Sequence, residues 1–260
     1  MSIQADYHIH SNYSDGGFLR WMAEAAQEAG LEAVGFADHC MLMERPGMQE
    51  VRAVSGCNLD ITYERRRIAI EALQEDLDIT IYESVEMDYQ PEDEPEIAEF
   101  LEEADFDYAV GSVHEVDGTN VHFAEHLNGH PEEERRTHVD AYFDDLESLI
   151  RSELFDIVAH PDIVERNEAL RGLADEDHYH QIAEALSESD TIPEINAGRI
   201  DASYGQFHPS DTFLKVLLEY DIPITVGSDS HSTDAIKSRI PQLREAVESY
   251  GITPADPLSE

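Results

Sequence analysis

Lysine is almost absent from this chain. Only Lys215 and Lys237 occur, basic residues number 16 against 58 acidic ones, and the formal net charge is −42. No basic stripe is available to neutralise a phosphate backbone, so nucleic acid is not an expected partner. Cysteine is scarce too. Cys40 and Cys57 are too few for a disulfide framework, and a reducing cytoplasm is the expected location. No apolar run approaches the length that crosses a bilayer, so no membrane partner is expected. Residues 1–6 have neither the basic start nor the apolar stretch of a secretory leader. Long blocks of like charge are also missing: the carboxylates alternate with apolar runs, and 41% of residues are hydrophobic, which separates the chain from acidic disordered proteins. Such a surface repels itself in dilute buffer, whereas at about 1 M salt the screening length falls to about 3 Å. The expected setting is a high-salt cytoplasm, as in halophilic archaea.

What is present is a regular alternation. Strand-like apolar runs cover 5–10, 34–39, 79–82 (leading to Glu86), 108–114, 156–160, 192–196 and 224–231. Between them lie amphipathic stretches at 18–29, 63–77, 95–104, 131–152, 177–189, 209–220 and 235–250. Parallel strands need crossovers of helical length, so this order predicts an α/β fold with a parallel sheet and helices outside it. The even spread over 260 residues favours one barrel domain, 1–260, one unit short of eight. Each run ends on side chains that bind metals, and in parallel barrels the chemistry sits at the carboxyl ends of the strands. Segments 40–60 and 115–130 are long and polar, and are candidate lids.

On the first strand His8 and His10 alternate with Ile9, which puts both imidazoles on one face. The Ser14-Asp15-Gly16 turn can carry Asp15 back over the strand end, where a carboxylate oxygen suits a second cation. Asp38-His39 ends the second run. His39 is the candidate ligand, the alternative being a helix cap by Asp38 beside a solvated imidazole. Cys40 faces the other way and is read as packed. In 83–89, Glu83, Glu86 and Asp88 compete for one role, and spacing alone does not choose. His114 and His160 each close an apolar run, as ligands or as imidazoles bonded to a neighbouring group. Asp229 and His231 repeat the i, i+2 geometry of the first strand. His122, His126, His130, His138, His178, His180 and His208 fall away from the strand ends and are read as loop or helix surface. Glu194 and Asn196 are placed along the pocket without touching metal. Arg166 and Arg199 follow strand ends on the same face. An arginine fork fits a phosphate, and pairing with one of the many carboxylates is the alternative.

These residues resemble the polymerase and histidinol phosphatase (PHP) superfamily, specifically its monofunctional histidinol-phosphatases. The resemblance is carried by Asp6-Tyr7-His8-Ile9-His10, Ser14-Asp15-Gly16, Ala37-Asp38-His39, Glu86-Met87-Asp88-Tyr89, Gly111-Ser112-Val113-His114, His160-Pro161-Asp162, Glu194-Ile195-Asn196 and Gly227-Ser228-Asp229-Ser230-His231. It implies a distorted (β/α)7 TIM-like barrel holding two or three divalent ions, commonly zinc, manganese or iron. By the resemblance, His8, His10, Glu86 and Asp229 hold one ion. Glu86 bridges to a second on His114 and His160, and Asp15, His39 and His231 hold a third. It selects Glu86 over Glu83 and makes Arg166 and Arg199 phosphate ligands. The loop after the second strand departs from the pattern.

The implied activity is hydrolysis of L-histidinol phosphate to L-histidinol and phosphate, with a metal-bridging hydroxide held by Glu86, His114 and Asp229 as nucleophile. Another phosphate monoester or a phosphodiester is the alternative substrate. Amidohydrolases also begin with H-x-H, but many bridge their metals with a strand-end lysine, and both lysines here lie in helical segments. A non-catalytic metal-binding PHP module is a further alternative, set against the filled ligand positions. If self-repulsion governs stability, raising KCl from about 0.1 M to about 1 M should raise the thermal unfolding midpoint. A flat or falling midpoint would contradict the high-salt reading.

Overall fold

The computed structural model describes residues 3–42 and 51–259; part of the candidate lid at 40–60 therefore lies outside the described residues. Seven parallel strands form one sheet in the order β1 (Ala5–Ile9), β2 (Ala33–Cys40), β3 (Thr80–Asp88), β4 (Tyr108–Ser112), β7 (Ile157–Val158), β8 (Ile192–Asn196) and β9 (Thr225–Gly227). The crossovers carry α1 (Leu19–Glu28), α2 (Tyr63–Gln74), α3 (Glu94–Ala104), α4 (Glu132–Arg151), α5 (Glu176–Ser187) and α6 (Asp211–Glu219), and α7 (Thr233–Tyr250) follows β9. Strands β5 (Glu115–Val116) and β6 (Thr119–Asn120) form a separate antiparallel hairpin. Its turn, Asp117-Gly118, has φ of 49° and 73°, the pair of positive values a two-residue hairpin turn needs. The sheet returns to its start through an Ile9–Ser230 bridge and through Asp229 N–H, which donates to His8 O at 2.7 Å. The expected distorted (β/α)7 barrel is therefore the observed fold. Among the described residues, no helix is long and apolar enough to cross a membrane.

Strand alternation divides the side chains into two sets. Outward positions such as Phe36, Val85, Met87, Val158 and Val226 join the large core beneath the helices. Inward positions at the amino ends, Tyr7, Tyr108, Val110, Ile157 and Ile192, form a smaller cluster inside the barrel. Ala255 and Leu258 pack against this floor, and Tyr7 Oη donates to Asp256 at 3.0 Å, so the tail after α7 closes the lower end. Above the floor the inward positions turn polar. Glu86 and Asp88 on β3, Glu194 and Asn196 on β8 and Asp229 after β9 follow the same two-residue period upward.

Two local irregularities set the first strand. The β1–β2 register slips between Asp6 and Ile9, so the consecutive residues Tyr7 and His8 both reach the interior, one in the floor and one above it. Tyr108 Oη reaches across from β4 and donates to Tyr7 O at 2.5 Å. It passes over Gly35, where an added Cβ would lie 1.6 Å from that hydroxyl; no larger residue fits there.

The loop after β1 is held by a buried carboxylate. Asp38 accepts from Ser11 N at 2.7 Å, Ser11 Oγ at 2.8 Å and Ser14 Oγ at 2.8 Å. Arg66 of α2, itself fully buried, donates to Asp38 Oδ2 at 2.7 Å, to Phe36 O at 3.1 Å and to Ser84 O. Asp38 is thus neither a helix cap nor a candidate ligand; it fixes the turn that presents Asp15. Burial pushes its carboxyl up, and Arg66 more than reverses this, leaving the pKa below the ordinary carboxylate range. A depressed folded-state pKa gives stability that is present at neutral pH and lost as pH falls through the depressed value. Arg66→Met strands a buried charge and should remove about 3–5 kcal/mol of stability at neutral pH. The difference from wild type should shrink on acidification. Equal denaturation midpoints at pH 7 would contradict this role.

Candidate metal centre

At the carboxyl end of the barrel five imidazoles surround one carboxylate. Glu86 Oε2 lies 3.4 Å from His8 Nε2, 3.6 Å from His10 Nε2 and 2.8 Å from His39 Nδ1. Glu86 Oε1 lies 3.5 Å from His114 Nε2 and 3.1 Å from His160 Nε2. Asp229 Oδ1 stands 3.4 Å from His10 Nε2, and the Nε2 atoms of His8 and His10 face each other at 3.1 Å. Beside this group, Asp15 Oδ1 is 3.3 Å from His231 Nε2 and 3.8 Å from both His10 Nδ1 and His39 Nε2. Every residue that the family resemblance assigns to a metal is thus brought to one place.

Different devices deliver these side chains. His8, His10, His39 and Glu86 follow from inward alternation. His160 does not, because the preceding Ala159 already packs with the interior cluster. Its φ of 28°, in the sparsely populated left-handed region, turns the imidazole to Glu86. Asp229 has φ of 49° and sits above Gly227. An added Cβ at Gly227 would lie 2.0 Å from Glu194 Oε2 and 2.6 Å from His8 Cβ, so only glycine leaves room for that pair.

A second set of residues orients the first. His8 Nδ1 lies 3.0 Å from Glu194 Oε1, and His114 Nδ1 is hydrogen-bonded to Asp88. A carboxylate on one ring nitrogen fixes the tautomer and turns the other lone pair toward the site. Asn196 Nδ2 donates to Glu194 Oε1 at 2.7 Å, holding that carboxylate in turn. Glu194 therefore lies among the ligand candidates as a support, and Asp88 is a buried partner of His114 instead of a surface charge. Glu83 takes part in neither, because it accepts from Arg67 at 2.5 Å.

The electrostatics show a site balanced against itself. Burial raises the Glu86 carboxyl, but His39 and His8 draw it well below the ordinary range. Burial lowers His39, and Glu86 more than offsets this, lifting it to about 10. His8 is lowered by burial and raised further by Glu194 and Glu86, ending well above its usual value. Asp229 is raised by burial but held well below its normal range by His10 and His231. His10 and His160 go the other way. Burial, then the nearby His231 and His39 charges, take His10 to about 4, and burial takes His160 to about 3 despite Glu86. Neutral ring nitrogens are therefore available as ligands alongside ionised carboxylates.

Divalent ions fit this donor set. For an ion with bonds of about 2.0–2.2 Å, tetrahedral ligand atoms stand about 3.3–3.6 Å apart. The Glu86–His8, Glu86–His10 and Asp229–His10 separations of 3.4–3.6 Å match that spacing, and the His8–His10 separation of 3.1 Å is a little shorter. Compact donor groups form around His8, His10 and Asp229, around His39, Glu86 and His114, and around His10, Asp15, His39 and His231. His10 thus faces two groups, as does His39. His160 lies outside them, while its Nδ1 and the His10 Nδ1 are buried without a hydrogen-bond partner among the described residues.

A cavity of about 390 Å³ opens over the cluster, and both arginines line it. Arg166 ends a short 3-10 turn, Ile163–Arg166. Burial, with the charge of Arg199, lowers its pKa to about 10 despite the pull of Asp229 and Glu86. Neither guanidinium forms an ion pair with a described carboxylate. In a chain with 58 acidic residues that is an unusual position for a cation. Three features lay beyond the sequence reading. His122, read as surface, lines this cavity with its ring centroid 4.5 Å from that of His114. His208, also read as surface, is fully buried and bonded to Asp162 at 2.6 Å. Arg239 reaches from α7 to Asp229 O at 2.7 Å and Gly198 O at 3.0 Å, tying two rim loops together. Each depends on where a loop or distant helix folds back, which local periodicity does not encode.

Comparison with known proteins agrees with this geometry. A family model described as PHP domain matches residues 6–198. The chain is 24% identical over 258 residues to a protein of Deinococcus radiodurans named as a probable histidinol-phosphatase, covering 96% of this chain and 95% of that one. It is similar in structure to the histidinol phosphate phosphatase of Lactococcus lactis, described as complexed with zinc, L-histidinol and phosphate. There the TM-score is 0.81 at 22% identity, over 100% of this chain and 99% of the other. If the donors hold metal, saturating manganese or zinc at about 100 times the dissociation constant should stabilise the fold by about 2.7 kcal/mol. Asp229→Ala and His8→Ala should each lose most of that gain and of the bound metal measured by elemental analysis. Wild-type metal content in both variants would contradict the assignment.

Proposed function

The chain belongs to the PHP domain family, and from that premise we propose that it is a metal-dependent phosphomonoesterase that hydrolyses L-histidinol phosphate to L-histidinol and phosphate. One observation carries the reading: a dense group of histidine and carboxylate donors lies beside two arginines that have no carboxylate partner among the described residues. The named relative in Deinococcus radiodurans and the ligands described for the Lactococcus lactis enzyme support this choice of substrate.

In this proposal His8, His10, Glu86 and Asp229 hold one cation, Glu86, His114 and His160 a second, and Asp15, His39 and His231 a third. Bound divalent ions neutralise phosphate oxygens and lower the pKa of a bound water to about 7. The chain's own residues do the rest. Glu194 and Asp88 keep the His8 and His114 lone pairs turned into the site. Glu86, with both oxygens engaged by imidazoles, fixes the spacing between donor groups. Arg166 and Arg199 grip the phosphate and set its direction, forming charge-assisted hydrogen bonds that a neutral residue does not replace. Their position matters because a net charge of −42 repels an anionic substrate at long range. Strong salt screens that field and leaves the close contacts less affected.

Phosphate release from L-histidinol phosphate, measured in about 1 M salt with manganese- or zinc-loaded protein, should exceed release from sugar and nucleoside monophosphates. Equal rates across such a panel would contradict the substrate, and no release from any monoester would contradict the reaction class. Arg199→Ala should raise KM by about tenfold or more and change kcat less. An unchanged saturation curve would remove Arg199 from the phosphate site.

A further inference from the structure

The cavity over the donor cluster is chemically lopsided. Its lining consists of imidazoles, carboxylates and guanidiniums, with Gly198 and one apolar side chain, Phe123. That ring is 52% exposed, on a molecule whose surface is dominated by carboxylates. Its place is built. The Asp117-Gly118 hairpin turns the chain back, Val121 N–H donates to His114 O at 3.0 Å, and Asn167 Nδ2 donates to Val121 O at 2.9 Å. Val121 is fully buried and His122 N–H donates to Asn120 Oδ1 at 2.8 Å. Phe123 is the next residue. The His122 ring stands 5.9 Å from it and the His126 ring 6.4 Å, centroid to centroid, so these imidazoles flank the phenyl while much of its surface stays open.

The lining is polar apart from Gly198 and Phe123. The cations' donors and the arginines suit a phosphate group, and Phe123 is the one hydrocarbon ring in the lining. A phosphate monoester has a second half, the alcohol, and Phe123, with His122 beside it, is the apolar side chain that the lining offers to it. His122 Nε2 is shielded from water and has no hydrogen-bond partner among the described residues. A planar ring carried by the alcohol gains offset-stacked or edge contact with a phenyl, and a small aliphatic alcohol gains little.

We propose that Phe123, seated by the β5–β6 hairpin and flanked by His122, is the specificity-determining residue for the alcohol half of the ester and selects esters whose alcohol carries a planar ring. This rests on the phosphomonoesterase reading and extends it from the phosphate to the leaving group. Segment 115–130 then serves as the wall on the alcohol side of the site.

The test uses binding, so it does not depend on turnover. Calorimetry on the metal-loaded full chain in about 1 M salt compares phenylphosphonate with methylphosphonate, neither of which contains an ester bond to hydrolyse. Wild type should bind phenylphosphonate roughly tenfold more tightly. Phe123→Ala should abolish that preference and leave methylphosphonate affinity and metal content unchanged, and Phe123→Tyr should retain it. Equal affinities in wild type, a preference that survives Phe123→Ala, or weakening of both ligands alike would overturn the assignment of Phe123 while leaving the phosphatase reading intact. Binding of neither phosphonate would overturn both.

Discussion

A single buried carboxylate, Glu86, surrounded by five imidazoles from four different parts of the chain, is the constraint on which the site depends. A carboxylate removed from water is costly unless positive charge compensates it. Here the compensation comes from His39 and His8, each held protonated in return. Divalent ions placed among the same atoms supply that positive charge more compactly and leave the imidazoles neutral. The donor groups around Glu86 are therefore of a kind capable of holding divalent cations. Nearly every irregularity of the barrel's upper rim contributes to that arrangement: the slip in β1, the left-handed backbone at His160 and Asp229, and the missing side chain at Gly227.

The same constraint explains the layering of the barrel. Aromatic and aliphatic side chains fill the floor, and the tail around Ala255 and Leu258 seals it. At the carboxyl end the interior turns charged, and Glu194 and Asp88 bond the outer nitrogens of His8 and His114. Arg66 and Asp38 stand apart from the cluster, yet they hold the Ser11–Ser14 turn that brings Asp15 over it. Arg239 does the same for the loops bearing Gly198 and Asp229. Four arginines of this acidic chain thus serve the site: Arg66 and Arg239 fix rim loops, and Arg166 and Arg199 line the cavity.

Much of this was legible in the sequence, because two-residue alternation translates directly into facing. It is enough to place His8 with His10 and Asp229 with His231, to send Cys40 into the outer core, and to count the seven strands. Resemblance to a known family resolved what alternation left open, the choice of Glu86 among three carboxylates. The features missed depend on contacts between distant segments. His122 reaches the cavity because a hairpin reverses the chain after β4. His208 is buried and its Nδ1 is hydrogen-bonded to Asp162, 46 residues earlier. Asp88 reads as one more acidic residue until His114 is folded against it. No local pattern specifies such partners; they appear only when the strands are assembled side by side.

The most direct measurement of the account is an anomalous-scattering map from crystals grown with manganese or zinc in excess. The account predicts strong peaks within bonding distance of Glu86, one of them shared with His8, His10 and Asp229. A map with no peak near Glu86, in crystals where the metal is found elsewhere or not at all, would contradict it.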